Sequence, residues 1–228
     1  MAPDSPAWMT IRESERLAGI SGLSRSDFLA SRWLIRRALA VASGQDANLC
    51  QPFDGRPDRS ASPPGWRLSL SHSGGIAGCA ISEGPAIGLD IEPLTRKLRW
   101  QKLVRRWFSP EEQAWLLTRN DTKHFLKVWT LKEAWLKATG RGIANNLQTL
   151  SVGSDFALSG DRPGANWQAS LGHVGDCLMA VVYQGPVPPR VHTIVEPINV
   201  GDPAAGMADD QAINWVLHQP IHSISEPT

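Results

Sequence analysis

The 228-residue chain has one tyrosine against ten tryptophans, only three cysteines, almost no net charge and no long apolar run. Each shortage excludes something. Cys50, Cys79 and Cys177 are odd in number and far apart, and they form no Cys-x-x-Cys or Cys/His cluster. Neither a disulfide framework nor a zinc site is therefore expected, and reduced thiols point to a cytoplasmic location. The opening MAPDSPAWMTIRESER lacks the apolar centre of a secretory signal. Without a stretch of about 18 apolar residues, no membrane span is expected. Net charge is +1, and the modest local basic run comes with no nucleic-acid motif, so a nucleic-acid partner is not expected. Apolar residues at 42% and charged residues at 20% describe an ordinary globular chain with a sizeable core.

What the sequence does have is self-similarity. Trp66 to Gly75 reads WRLSLSHSGG and Trp167 to Asp176 reads WQASLGHVGD. Aligned without gaps, Trp66, Ser69, Leu70, His72 and Gly74 meet Trp167, Ser170, Leu171, His173 and Gly175. Each copy continues through an apolar strand (IAGCAI, CLMAVV), a Gly-Pro turn and a strand ending in Glu-Pro. A helix with a core-facing stripe precedes each copy, over Ser26–Ala42 and Lys123–Thr139. Recurrence of helix, strand, turn and strand in one order is the mark of duplication. The expected fold class is α+β, a pseudo-dimer of two similar lobes over residues 1–95 and 96–199. Residues 200–228 read as a polar appendage with at most one short helix around Gln211 to Leu217.

Function is sought where the copies disagree. AIGLDIE alternates, with Ile87, Leu89 and Ile91 on one face and Gly88, Asp90 and Glu92 on the other. The carboxylates should thus project together, about 7 Å apart, and repel by roughly 2 kcal/mol at an effective dielectric of 20. On open surface they need nothing; in a pocket they ask for a hard cation such as Mg²⁺. In the second copy Ile194 stands opposite Asp90. In the first helix Arg25, Arg32 and Arg36 share a face, suited either to phosphate or to solvent. In the second, Trp129, Glu133 and Lys137 recur every fourth residue, which also suits a plain surface Glu–Lys pair. Ser71 and His72 in SHSGG read as part of a turn that could cradle phosphate. In FSPEE, Ser109, Pro110 and Glu112 make a capping box that explains Glu112 without chemistry and leaves a catalytic share open.

GLDIE, FSPEE and WTLKEAWLK, in that order and spacing, together resemble the signature of the 4′-phosphopantetheinyl transferases, and SHSGG and the two-copy length resemble the two-lobed, Sfp-type branch. The resemblance implies a Mg²⁺-dependent enzyme of the holo-acyl-carrier-protein synthase type. Such an enzyme transfers the phosphopantetheine arm of coenzyme A to a serine of an apo acyl or peptidyl carrier protein and releases 3′,5′-ADP. It implies a monomer with its site in a cleft between the lobes. Carried over by motif, Asp90, Glu92 and Glu133 resemble metal ligands, and Lys137 a lysine on coenzyme A phosphate. Ser71 and His72 resemble the phosphate turn, and Arg56, in GRP, a residue holding the 3′-phosphate. Arg36 and Arg32 are similar to helix cations with the same task, and Glu133 or Glu112 to the proton acceptor. Arg96, Lys97, Arg99, Lys102, Arg105 and Arg106 could receive an acidic carrier or be a solvated linker face. A non-catalytic coenzyme A binding module and a metal-dependent phosphohydrolase acting on coenzyme A stay open as alternatives.

Overall fold

The computed structural model describes residues 5–53, 58–73, 75–162, 166–186, 190 and 213–223. They fall into two compact units, one within Met1–Gly84 and one within Pro85–Arg190 plus Ile213–Thr228. Arg56 and the Glu-Pro at 196–197 lie outside the described residues.

The first unit opens with helix α1 (Ile11–Ala18), where Thr10 and Glu13 form a reciprocal capping box. Helix α2 (Gly22–Ser43) ends at Gly44, whose left-handed backbone (φ 72°) closes the last turn. After the short strands β1 (Gln51–Pro52) and β2 (Ser60–Ser62) comes the hairpin β3 (Trp66–Ser73) and β4 (Ile76–Glu83). Ile35 and Leu39, one turn apart on α2, pack with Cys50 and Leu68 and against Leu70, Cys79 and Ile81. Strand β3 runs on through Ser73, so Ser71 and His72 are ladder residues opposite Gly78 and Ala77 rather than members of the turn. Alternation along the strand leaves Ser71 buried and His72 exposed.

The second unit is a six-stranded sheet in the order β5-β9-β8-β10-β7-β6. Its strands are β5 (Ile87–Pro93), β6 (Leu150–Val152), β7 (Leu158–Gly160), β8 (Trp167–Val174), β9 (Cys177–Gln184) and β10 (Asn214–Ser223). Helices α3 (Trp100–Trp107), α4 (Pro110–Arg119) and α5 (Thr122–Ala138) connect β5 to the rest. The core joins Trp100, Val104, Phe108 and Leu116 with Phe125, Leu131 and Trp135 of α5 and the inward residues of β8 and β9. Helix α5 is buried on nearly every side. Its strength comes from packing rather than from an amphipathic surface stripe.

Two boundaries differ from the expectation. Strand β5 pairs along its whole length with β9 and falls in the second unit, whereas the sequence reading closed the first lobe at about residue 95. The physical reason is an unmatched edge: Leu89, Asp90 and Ile91 find ladder partners in Val181, Ala180 and Met179. The tail also forms a strand, Asn214–Ser223, where the sequence suggests at most one short helix around Gln211 to Leu217. Trp215, Leu217, Gln219 and Ile221 turn inward while Val216, His218 and Pro220 are exposed, a period of two that no helix offers. Strand β10 sits between β8 and β7, antiparallel to the first and parallel to the second. Pro220 pairs only on the β8 side, so its missing N–H interrupts nothing on the β7 side.

Candidate active site

Gly88, Asp90 and Glu92 share the face of β5 that α5 covers, and Gly88 is what lets the helix come so close. A methyl group built at that glycine would stand 2.0 Å from the carbonyl oxygen of Ala134 and 2.4 Å from the nitrogen of Ala138. Only a bare backbone fits there. The approach brings the stripe Trp129–Glu133–Lys137, stepped by about 6 Å per four residues, against the carboxylates of β5. Lys137 Nζ donates to Asp90 Oδ1 at 2.8 Å. Trp129 Nε1 donates to Glu92 Oε1 at 3.1 Å, and Arg96 donates to the same oxygen. Asp90 and Glu92 are each 3% exposed. The expected alternation therefore holds, but the carboxylate face is enclosed rather than solvated.

Glu133 lies between these contacts. Burial first, and then the charge of Asp90, push its carboxyl above the ordinary glutamate range; Lys137 and Arg96 pull the other way. Asp90 is buried and Glu133 half-buried, and basic side chains offset their charge. Among the described residues no three His, Cys, Asp or Glu side chains are gathered tightly enough to hold a metal ion. The donor chemistry nevertheless fits Mg²⁺, which takes carboxylate oxygens and few of them. The repulsion between Asp90 and Glu133 is what a divalent cation would relieve.

Glu112 is 1% exposed and heavily engaged. Its Oε2 accepts from the Ser109 nitrogen at 3.1 Å, the capping box read in the sequence. Its Oε1 accepts from the Val152 nitrogen at 2.9 Å and faces Lys132 Nζ at 2.7 Å. Lys132 is fully buried and also donates to the carbonyls of Leu147 and Leu150. Burial pushes the Lys132 ammonium down, against the pull of Glu112. The sequence reading did not single out Lys132. Its signal was position: it lies four residues after Val128 and seven after Phe125, on the core stripe of α5.

In the first unit, Arg36 is fully buried and Arg32 nearly so. Both meet Glu13, at 2.6 Å from Arg36 Nη2 and 3.3 Å from Arg32 Nε. Arg36 also lies over the Trp8 ring and Arg32 over Phe28. Burial lowers the Arg32 pKa, and Glu13 opposes it. These two cations thus tie α1 to α2 through an acid that the sequence reading passed over. Its cue was the Thr10-to-Glu13 capping spacing, which accounted for one side of Glu13 only.

A family model described as the 4′-phosphopantetheinyl transferase superfamily matches residues 86–182. The chain is 38% identical over 130 residues to 4′-phosphopantetheinyl transferase HetI of Nostoc sp., covering 53% of this chain and 54% of that one. A Synechocystis sp. protein that provisionally carries the same transferase name is 32% identical over 168 residues, 68% of each chain. The chain belongs to the 4′-phosphopantetheinyl transferase superfamily. The match to 4′-phosphopantetheinyl transferase Sfp of Bacillus subtilis is 34% over 92 residues, 40% of that relative. The chain thus spans about half the length of HetI and less of Sfp. The superfamily match runs from the residue before β5 to Val182, two residues short of the end of β9. It contains Asp90, Glu92, Glu112, Glu133 and Lys137, and it leaves out Arg32, Arg36, Ser71 and His72. No helix among the described residues is long and apolar enough to cross a membrane.

Proposed function

We propose that this protein transfers the 4′-phosphopantetheine group of coenzyme A to a serine of an apo acyl or peptidyl carrier protein, with Mg²⁺ and with release of 3′,5′-ADP. The observation that supports it is the α5–β5 arrangement: Lys137 pairs with Asp90, Glu133 of the same helix feels the charge of Asp90, and Trp129 holds Glu92 beside them. Asp90, Glu92 and Glu133 would hold Mg²⁺. When bound, the ion would neutralise charge on the pyrophosphate oxygens of coenzyme A, in a reaction where positioning and electrostatics do most of the work.

The chain's own residues have separable tasks in this reading. The serine oxygen bonds to the β-phosphorus as the bond from that phosphorus to the bridging oxygen breaks, and 3′,5′-ADP leaves with the electron pair. Glu133, on the stripe of α5 that faces Asp90, takes the serine proton directly or through a water. Glu112 is set aside from that task because the Ser109 and Val152 nitrogens and Lys132 engage both its oxygens. Lys137, 30% exposed and paired with Asp90, would be free to turn to a phosphate oxygen and stabilise the leaving group. Ser71, His72 and Arg56 are assigned to the nucleotide phosphates, and an acidic carrier to the exposed Lys97, Arg99, Lys102, Arg105 and Arg106. Arg32 and Arg36, expected from the sequence to share the phosphate task, are buried against Glu13 and are set aside from it for the same reason as Glu112.

The reading further takes the chain as two related lobes of the Sfp-type branch, acting as a monomer in the cytoplasm. Each unit has a long helix followed by a hairpin of two eight-residue strands that begins at a tryptophan, Trp66 in one and Trp167 in the other. Incubation with coenzyme A, Mg²⁺ and a panel of apo carriers, followed by intact-mass spectrometry, tests the function. A carrier heavier by one phosphopantetheine group supports transfer. Free phosphopantetheine phosphate with an unmodified carrier means hydrolysis instead, and neither product means binding alone.

A further inference from the structure

Trp129 is buried, 7% exposed, and begins the stripe that ends in Lys137, yet the reaction outlined above gives it nothing to do. Its ring is locked. It lies 5.8 Å from Phe125, which in turn stacks on Trp100 at 5.3 Å and Phe108 at 6.0 Å. The Trp100 indole is itself pinned by its bond to the Thr122 hydroxyl at 3.1 Å. A ladder of rings from α3 to α5 therefore fixes where the Trp129 N–H points, and it points at Glu92 Oε1.

Each of the two strand carboxylates also meets a cation. Arg96 meets Glu92 from a side chain 34% exposed, and Lys137 meets Asp90 from one 30% exposed. Each would compete with a metal for the same negative charge. An indole N–H is a neutral donor and accepts nothing. It can hold a carboxylate rotamer while leaving its full charge for a cation, and it need not leave when the cation arrives. Partners of this kind, one shell beyond a metal, typically change affinity about 10- to 100-fold.

We infer that Trp129 is a positioning residue that presents Glu92 to a divalent cation through its Nε1–H. The inference rests on the proposed metal role of Glu92, and the test separates the two. Mn²⁺ binding in the presence of coenzyme A is measured by electron paramagnetic resonance for the full chain, for Trp129→Phe, and for a chain with the isosteric benzothiophene analogue of tryptophan at position 129. The analogue keeps the ring and loses the N–H, so it answers even where Trp129→Phe does not fold. Binding about tenfold weaker in the analogue chain, with transfer restored by excess Mg²⁺, supports the inference, because the analogue keeps the packing and loses only the N–H. Equal Mn²⁺ affinity in all chains overturns it and leaves the metal site standing. Failure of the unsubstituted chain to bind Mn²⁺ overturns the metal site, and the inference with it.

Discussion

Gly88→Ala is the sharpest small perturbation the structure offers. The added methyl would sit 2.0 Å from the Ala134 oxygen, 2.4 Å from the Ala138 nitrogen and 2.9 Å from its Cα. All three are helix backbone, so no side chain can swing aside. Reaching ordinary contact, about 3.5 Å, requires α5 to recede from β5 by roughly 1.5 Å. Overpacking of this kind costs typically 1–3 kcal/mol. We expect about 3, since the contact is backbone on backbone along the best-buried helix. The displacement also parts Glu133 and Lys137 from Asp90, and an error of about 1 Å in placing reacting groups can cost 10²-fold in rate. Urea denaturation reads the first effect, and transfer to a carrier at a temperature where the variant is folded reads the second. Gly142→Ala is the control: nothing lies within 4 Å of its added methyl and its φ is ordinary. It should change stability by no more than about 0.5 kcal/mol. A Gly88→Ala protein as stable and as active as the parent would refute the claim that close helix–strand approach builds the site.

Lys132→Met leaves the Glu112 carboxylate buried without its cation and should lower unfolding stability by about 3–5 kcal/mol, with much of it regained when Glu112→Leu is added; urea midpoints of the four chains check this. Glu133 has a raised pKa, so folding favours its protonated form; its contribution worsens as pH rises from the ordinary glutamate value through the folded one. Glu133→Gln should therefore raise the melting temperature of the metal-free protein above that window, have little effect below it, and lose transfer. Reversing the charge of Lys102, Arg105 and Arg106, all exposed on α3, should raise the KM for an acidic carrier and leave the KM for coenzyme A unchanged.

Much of the site could be read from local pattern because local pattern encodes it. Period-two alternation put Asp90 and Glu92 on one face of β5, and the four-residue step put Trp129, Glu133 and Lys137 on one stripe of α5. The helix read over Lys123–Thr139 lies over Thr122–Ala138, and the capping box at Ser109 is formed. What the sequence hid were long-range pairings. That β5 would join β9, and that Asn214–Ser223 would slot between β8 and β7, depends on strands far apart in the chain. The apolar WVL of the tail is too short to separate helix from strand by period. Glu13 and Lys132 were hidden for a similar reason. A charge looks solvated until the opposite charge that permits its burial is found, and those partners lie 23 and 20 residues away in the chain.

The arrangement around Asp90 is open to one decisive comparison: carrier modification by the parent chain and by Asp90→Ala, followed by intact mass in Mg²⁺ buffer. Removing Asp90 unpairs Lys137, which is already partly exposed, so cooperative unfolding should survive. The account predicts a phosphopantetheinylated carrier from the parent and none from the folded variant. A folded Asp90→Ala protein that modifies the carrier at the parent's rate would contradict it.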